Sequence, residues 1–121
     1  MAVGCLVAGA VTVKLASAFT LAWTHSVERI EWQEDWRASE AGLVLAEERV
    51  QGSGAGMEPP PDAVLEGDFY VSHPNRPPLR EILLRRSGAT ADWRVCFDGG
   101  CHVMGDLLPP DADPVTLTVC D

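Results

Sequence analysis

Between Phe19 and Arg37 the chain reads FTLAWTHSVERIEWQEDWR, with apolar side chains at alternate positions. That period belongs to a strand, because successive side chains of extended backbone point to opposite faces. Phe19, Leu21 and Trp23 share one face of the first half, and Thr20, Ala22 and Thr24 the other. In the second half Ile30, Trp32 and Trp36 share a face. The opposite face carries Arg29, Glu31, Gln33, Asp35 and Arg37 and reads as an ordinary solvated surface. Glu28 and Glu34 break the pattern, since parity groups them with the tryptophans. A carboxylate on an apolar face needs a partner or loses its charge, because desolvating it alone is costly. Two readings stay open. One or both carboxylates reach water at a sheet edge, as most glutamates do, or both turn inward with His25 as part of a binding site.

The 121 residues suffice for one domain with a real core and are too few for two. A hydrophobic share of 46% with four tryptophans excludes a disordered chain. The net charge is −9, and residues 19–66 carry ten acidic against three basic side chains. Without a basic patch there, nucleic acid is not an expected partner, because phosphate contacts need Lys and Arg. The acidity serves solubility or, more specifically, attracts a cationic ligand or metal ion.

Four cysteines beside a single lysine suggest an oxidising compartment. Cys96 and Cys101 bracket Phe97-Asp98-Gly99-Gly100, a turn sequence, so a hairpin would bring them within bridging distance. Cys5 and Cys120 lie near opposite ends. Joining them would tie the terminal strands together, stabilising by about 4–5 kcal/mol in the loop-entropy model. The rival reading is a zinc site on Cys96, Cys101 and His102, although the spacing is not that of the usual knuckle.

Met1 to Trp23 is apolar apart from Lys14. A lysine at mid-span costs about 2.5–3.5 kcal/mol in a membrane, and the alternating Thr12–Ser17 texture favours β structure. No basic region precedes the apolar run, so it is not read as an intact signal peptide. Ala2-Val3-Gly4-Cys5 is similar to the end of a lipoprotein cleavage site, and the expectation is a trimmed mature form.

Strand signals run nearly end to end, at about 3–7, 11–15, 19–24, 27–37, 42–50, 69–71, 79–86, 93–97, 102–104 and 115–119. The fold class expected is therefore all-β, a single-domain antiparallel sandwich or flattened barrel of about eight to ten short strands. Ser39-Glu40-Ala41-Gly42 reads as a hairpin turn, and no helix is expected. Gln51 to Asp62, QGSGAGMEPPPD, breaks the rhythm. It is either a flexible connection or a loop that folds over the central sheet and delivers Met57 and Glu58. Its glycines match neither the dinucleotide nor the P-loop spacing. Ser72 to Pro78, with His73, reads as a surface loop, and Asp106, Asp111 and Asp113 lack the order of a calcium loop.

FTLAWTHSVE, then EDW, then GSGAGMEPPPDA, then SGATADWRVCFDGGC closely resembles a bacterial family known only as domain of unknown function 1850. The resemblance runs from about Cys5 to Met104. The matching positions include Trp23, His25, Ser26, Glu28, Glu34, Trp36, Gly54, Gly56, Met57, Glu58, Trp93, Cys96 and Cys101. The resemblance implies a small exported, periplasmic protein whose gene often lies beside TRAP transporters of the TAXI type, and it carries no catalytic role.

The function expected is a non-enzymatic accessory or binding module. His25, Glu28, Glu34 and Glu58 would form a polar cluster walled by Trp23, Trp32 and Trp36. Such a cluster could hold a divalent cation or an organic cation against the aromatic walls. Alternatively the cluster is a self-satisfied structural network, and the chain docks on a protein partner such as a transporter component. A small hydrolase is the least favoured class, because adjacent His25 and Ser26 on a strand point apart.

Overall fold

The alternating segments form strands, as expected, in a computed structural model that describes residues 1–24, 30–52, 61–86 and 91–121. They are β1 (Val3–Ala8), β2 (Val11–Lys14), β3 (Ala18–Thr24), β4 (Glu31–Ser39), β5 (Gly42–Gln51) and β6 (Val64–Glu66). There follow β7 (Phe69–Ser72), β8 (Glu81–Leu84), β9 (Arg94–Phe97), β10 (Gly100–Val103) and β11 (Val115–Cys120). A single helical turn, α1 (Met104–Leu107), follows β10, where continued strand was expected at Met104. No helix among the described residues is long and apolar enough to cross a membrane.

The strands make two antiparallel sheets. One has four strands in the order β2-β1-β11-β8, the other seven in the order β10-β9-β3-β4-β5-β7-β6. The arrangement is an open sandwich and not a closed barrel. Leu6, Leu84, Val115 and Leu117 from the small sheet meet Phe19, Leu21, Trp36, Leu43, Leu45 and Val95 from the large one, with Met104 and Leu108 in the same buried cluster. Each of these side chains removes apolar surface from water, stabilising by about 1.5–3 kcal/mol when fully buried.

Local chemistry fixes the turns. Glu40 and Ala41 make the expected turn between β4 and β5. Gly42 follows at φ +132°, where a Cβ would lie 2.6 Å from the carbonyl oxygen of Leu79, so only glycine fits. Asp98 and Gly99 take φ 51° and 81°, the paired positive values of a tight hairpin turn. That turn sets Cys96 opposite Cys101 at a Cα separation of 4.0 Å, and the two are bridged. Cys5 and Cys120 are also bridged, at a Cα separation of 6.1 Å, which ties β1 to β11. Both expected disulfides therefore form, and the zinc alternative fails because its two sulfurs are bonded to each other.

One departure from simple alternation shapes the large sheet. Asp35 pairs with Glu47 but Trp36 pairs with Leu45, so Ala46 is an extra residue in β5. This bulge resets the parity of β5. Leu43 and Leu45 face the core on one side of it, and Glu48 and Val50 share that face on the other.

Candidate functional site

Register places Phe19 opposite Trp36, Leu21 opposite Glu34 and Trp23 opposite Trp32. The inner face of β3 and β4 therefore carries aromatic and aliphatic groups with one carboxylate among them. Trp23 stacks on Trp32 with ring centroids 5.8 Å apart and planes 15° from parallel. On its other side Trp93, just before β9, meets Trp23 at 4.8 Å and 52°. The Trp93 indole N–H donates to the carbonyl oxygen of Arg85 at 2.9 Å. The Trp32 Nε1 is fully buried and has no hydrogen-bond partner among the described residues, an arrangement that costs about 1–3 kcal/mol.

Glu34 accepts a hydrogen bond from Trp36 Nε1 at 3.2 Å. Burial pushes its pKa above the ordinary glutamate value. The Trp36 hydrogen bond works against that rise, the charge of Glu48 opposite it on β5 adds to it, and the charge of Arg76 opposes it. Glu34 thus sits inward with the tryptophans, the one part of the inward reading that falls on described residues. Trp36, expected as a wall of the site, is buried in the main core and reaches the site through its indole N–H. The ring contacts place Trp93 in the aromatic group with Trp23 and Trp32. His25, Glu28 and Glu58, expected beside Glu34, lie outside the described residues, as do Ser26 and Met57.

The opposite face of the same strands is built differently. One row runs across the sheet through Cys101, Cys96, Thr20, Asp35 and Glu47, each cross-strand neighbour of the next. The next row contains Arg94, Ala22, Gln33 and Arg49. Arg49 donates to both oxygens of Asp35, at 2.7 and 2.8 Å, to Gln33 at 2.8 Å, and to Glu47. Thr20 donates to Asp35 at 2.7 Å, His73 Nε2 lies 3.0 Å from Glu47, and Arg94 donates to Glu31 at 2.6 Å. The Arg49 hydrogen bonds hold Asp35 below the ordinary aspartate range against the effect of burial, with Thr20 helping. For Glu31 burial acts upward, but the bonds from Arg94 and Gln33 outweigh it and leave the group lowered. Asp35 and Glu47 hold Arg49 firmly charged. The face expected to be plainly solvated is thus a connected ionic network. The signal that could have exposed it is the opposed charge order of Glu31-Gln33-Asp35 and Glu47-Arg49 on hairpin-paired strands.

The family model for the domain of unknown function DUF1850 matches residues 19–104. This chain belongs to the DUF1850 family. No curated protein and no solved structure matches it. The DUF1850 match spans the large sheet from Phe19 onward, both tryptophan strands and the Cys96–Cys101 hairpin, while β1, β2 and β11 of the small sheet lie outside it.

Within the DUF1850 domain Trp93 is held by a second ion pair. The Arg86 side chain, 7% exposed, grips Asp92 through Nε at 3.0 Å and Nη2 at 2.6 Å. Its Nη1 donates to the carbonyl oxygens of Pro109 and Ala112 at 2.8 and 3.0 Å. Asp92 in turn accepts from the Trp93 backbone N–H at 2.9 Å. Arg86 draws the Asp92 pKa below its ordinary value, against the opposing effect of burial. This knot fixes the segment that presents the Trp93 ring to Trp23. Among the described residues no group of three or more His, Cys, Asp or Glu is arranged to hold a metal ion.

Proposed function

We propose that this DUF1850 domain is a non-enzymatic binding module that works outside the cytoplasm, holding a small organic cation at Glu34 against the Trp23, Trp32 and Trp93 rings. The observation that carries the reading is the inward placement of Glu34. Among the described residues its one hydrogen bond comes from a neutral indole and the Trp32 N–H, on the same face of β4, is buried without a partner, while burial disfavours the Glu34 charge. A fold selected for stability alone gains little from such a pair of groups. A cation restores the carboxylate's preference for its charged form and meets aromatic faces beside it, an interaction worth about 0.5–2 kcal/mol per ring contact. The two disulfides support an oxidising compartment. The role beside TRAP-type solute uptake rests on the family resemblance, and it supplies a reason for a binding module of this size.

Thermal unfolding of the oxidised protein, first in EDTA and then with choline, tetramethylammonium, calcium or zinc, tests the reading. A ligand that binds only the folded state stabilises it by about 2.7 kcal/mol at one hundred times Kd. The expected result is a concentration-dependent rise in Tm with an organic cation, lost in Glu34→Gln, while that variant without ligand is as stable as the parent or more so. A rise with calcium or zinc alone overturns the organic-cation reading. No rise with any ligand, together with earlier melting of Glu34→Gln, makes the cluster structural and moves the function to a protein partner.

A further inference from the structure

On the outer face of the large sheet the β9–β10 hairpin, β3, β4 and the bulged part of β5 enclose a groove of about 590 Å³. Ala18, Ala46 and the bridged Cys96 and Cys101 are among its lining residues. Volumes of a few hundred Å³ suit a small organic molecule. Among the described residues the charged side chains in the groove are committed, with one exception. Asp35 is occupied by Arg49 and Thr20, and Glu47 by Arg49 and His73. Arg37, next on the same face of β4 after Asp35, has an exposed side chain that makes no hydrogen bond or close ion pair among the described residues, although its charge also favours the ionised form of Asp35.

Charge follows from this commitment. Arg49 and Arg37 together balance Asp35 and Glu47, so the groove is locally neutral in a chain of net charge −9. Its free hydrogen-bonding capacity is a guanidinium, whose fork geometry matches a carboxylate. The bulge matters here, because it leaves Ala46 as the extra residue lining the groove and sets Val44 opposite Arg37, where an unbroken register would have put Leu45.

We propose that this groove is a second ligand site, distinct from Glu34, which binds a small organic carboxylate through Arg37 with its apolar body against Ala18, Ala46 and the disulfide. The test is titration of the full oxidised chain with benzoate and hexanoate, followed by isothermal calorimetry and by amide chemical shifts, with benzamide and hexanamide as uncharged controls. Saturable binding of a carboxylate is expected, with shifts at Thr20, Arg37, Ala46, Gly99 and Gly100 and none with the amides. Arg37→Gln should weaken it by about tenfold or more, the scale of one lost charge-assisted contact. Because Arg37 is exposed, this variant should keep the parent Tm. Glu34→Gln should bind the carboxylate unchanged, so the two sites fail or succeed separately. Absence of saturable binding, binding that Arg37→Gln leaves intact, equal binding of the amides, or shifts centred on the tryptophans would each overturn the proposal.

Discussion

Glu34 and Asp35 are adjacent carboxylates on one strand, yet the fold drives their protonation in opposite directions. Asp35 faces outward and receives two bonds from Arg49 and one from Thr20, so its charge is more stable folded than unfolded. Glu34 faces inward, receives one bond among the described residues, from Trp36, and is pushed toward its neutral form by burial. Sequence neighbours on a strand occupy different environments because alternate side chains leave opposite faces. Partnered carboxylates such as Asp35 and Asp92 hold the structure together. Glu34, half-buried and with one hydrogen bond among the described residues, is the group on which the proposed binding site rests.

The comparison can be broken from its strongest side first. Arg86→Met leaves Asp92 without its bidentate partner and frees two backbone carbonyls, and the expected loss is about 2–3 kcal/mol by chemical denaturation. Near-ultraviolet circular dichroism should report the same change as a loss of the Trp23–Trp93 signal. Arg49→Met strips Asp35 and Glu47 of their shared cation, but both remain partly solvated, so about 1–2 kcal/mol is expected. A loss as large as that for Arg86→Met would mean the outer network is as deeply structural as the knot.

The two adjacent carboxylates then give opposite pH signatures. For Asp35 the folded pKa is lowered, so its contribution is present above the ordinary aspartate range and fades as pH falls through the folded value. Asp35→Asn should therefore melt below the parent at neutral pH, with a shrinking difference in acid. For Glu34 the folded pKa is raised above 4.5, so its favourable contribution exists only below that value and is lost as pH rises through the folded pKa. Glu34→Gln should gain on the order of 0.5 kcal/mol at pH 7, and the gain should vanish below pH 4.5 in parallel melting scans. A loss at neutral pH would place Glu34 with Asp35 among the structural groups. The smallest effect is expected for Arg94→Gln, about 0.2–0.5 kcal/mol, since its pair with Glu31 is substantially exposed.

Much of this protein is written locally in its sequence. The period of two specifies the strands, the Asp98-Gly99 pair specifies the hairpin that joins Cys96 to Cys101, and parity alone puts Glu34 with Trp32 and Trp36. These features need only neighbouring residues and the geometry of extended backbone. Val64–Glu66 escaped because a three-residue strand after a proline run carries too little pattern, and its pairing comes from β7. The rest was decided by tertiary structure. The Ala46 bulge, the convergence of Arg49 on Asp35 and Glu47, and the arrival of Trp93 beside Trp23 depend on cross-strand register and on the Arg86–Asp92 knot. Sequence periodicity determines which side chains share a face, but only packing one sheet on the other determines which face becomes the interior, and so which carboxylate loses its water.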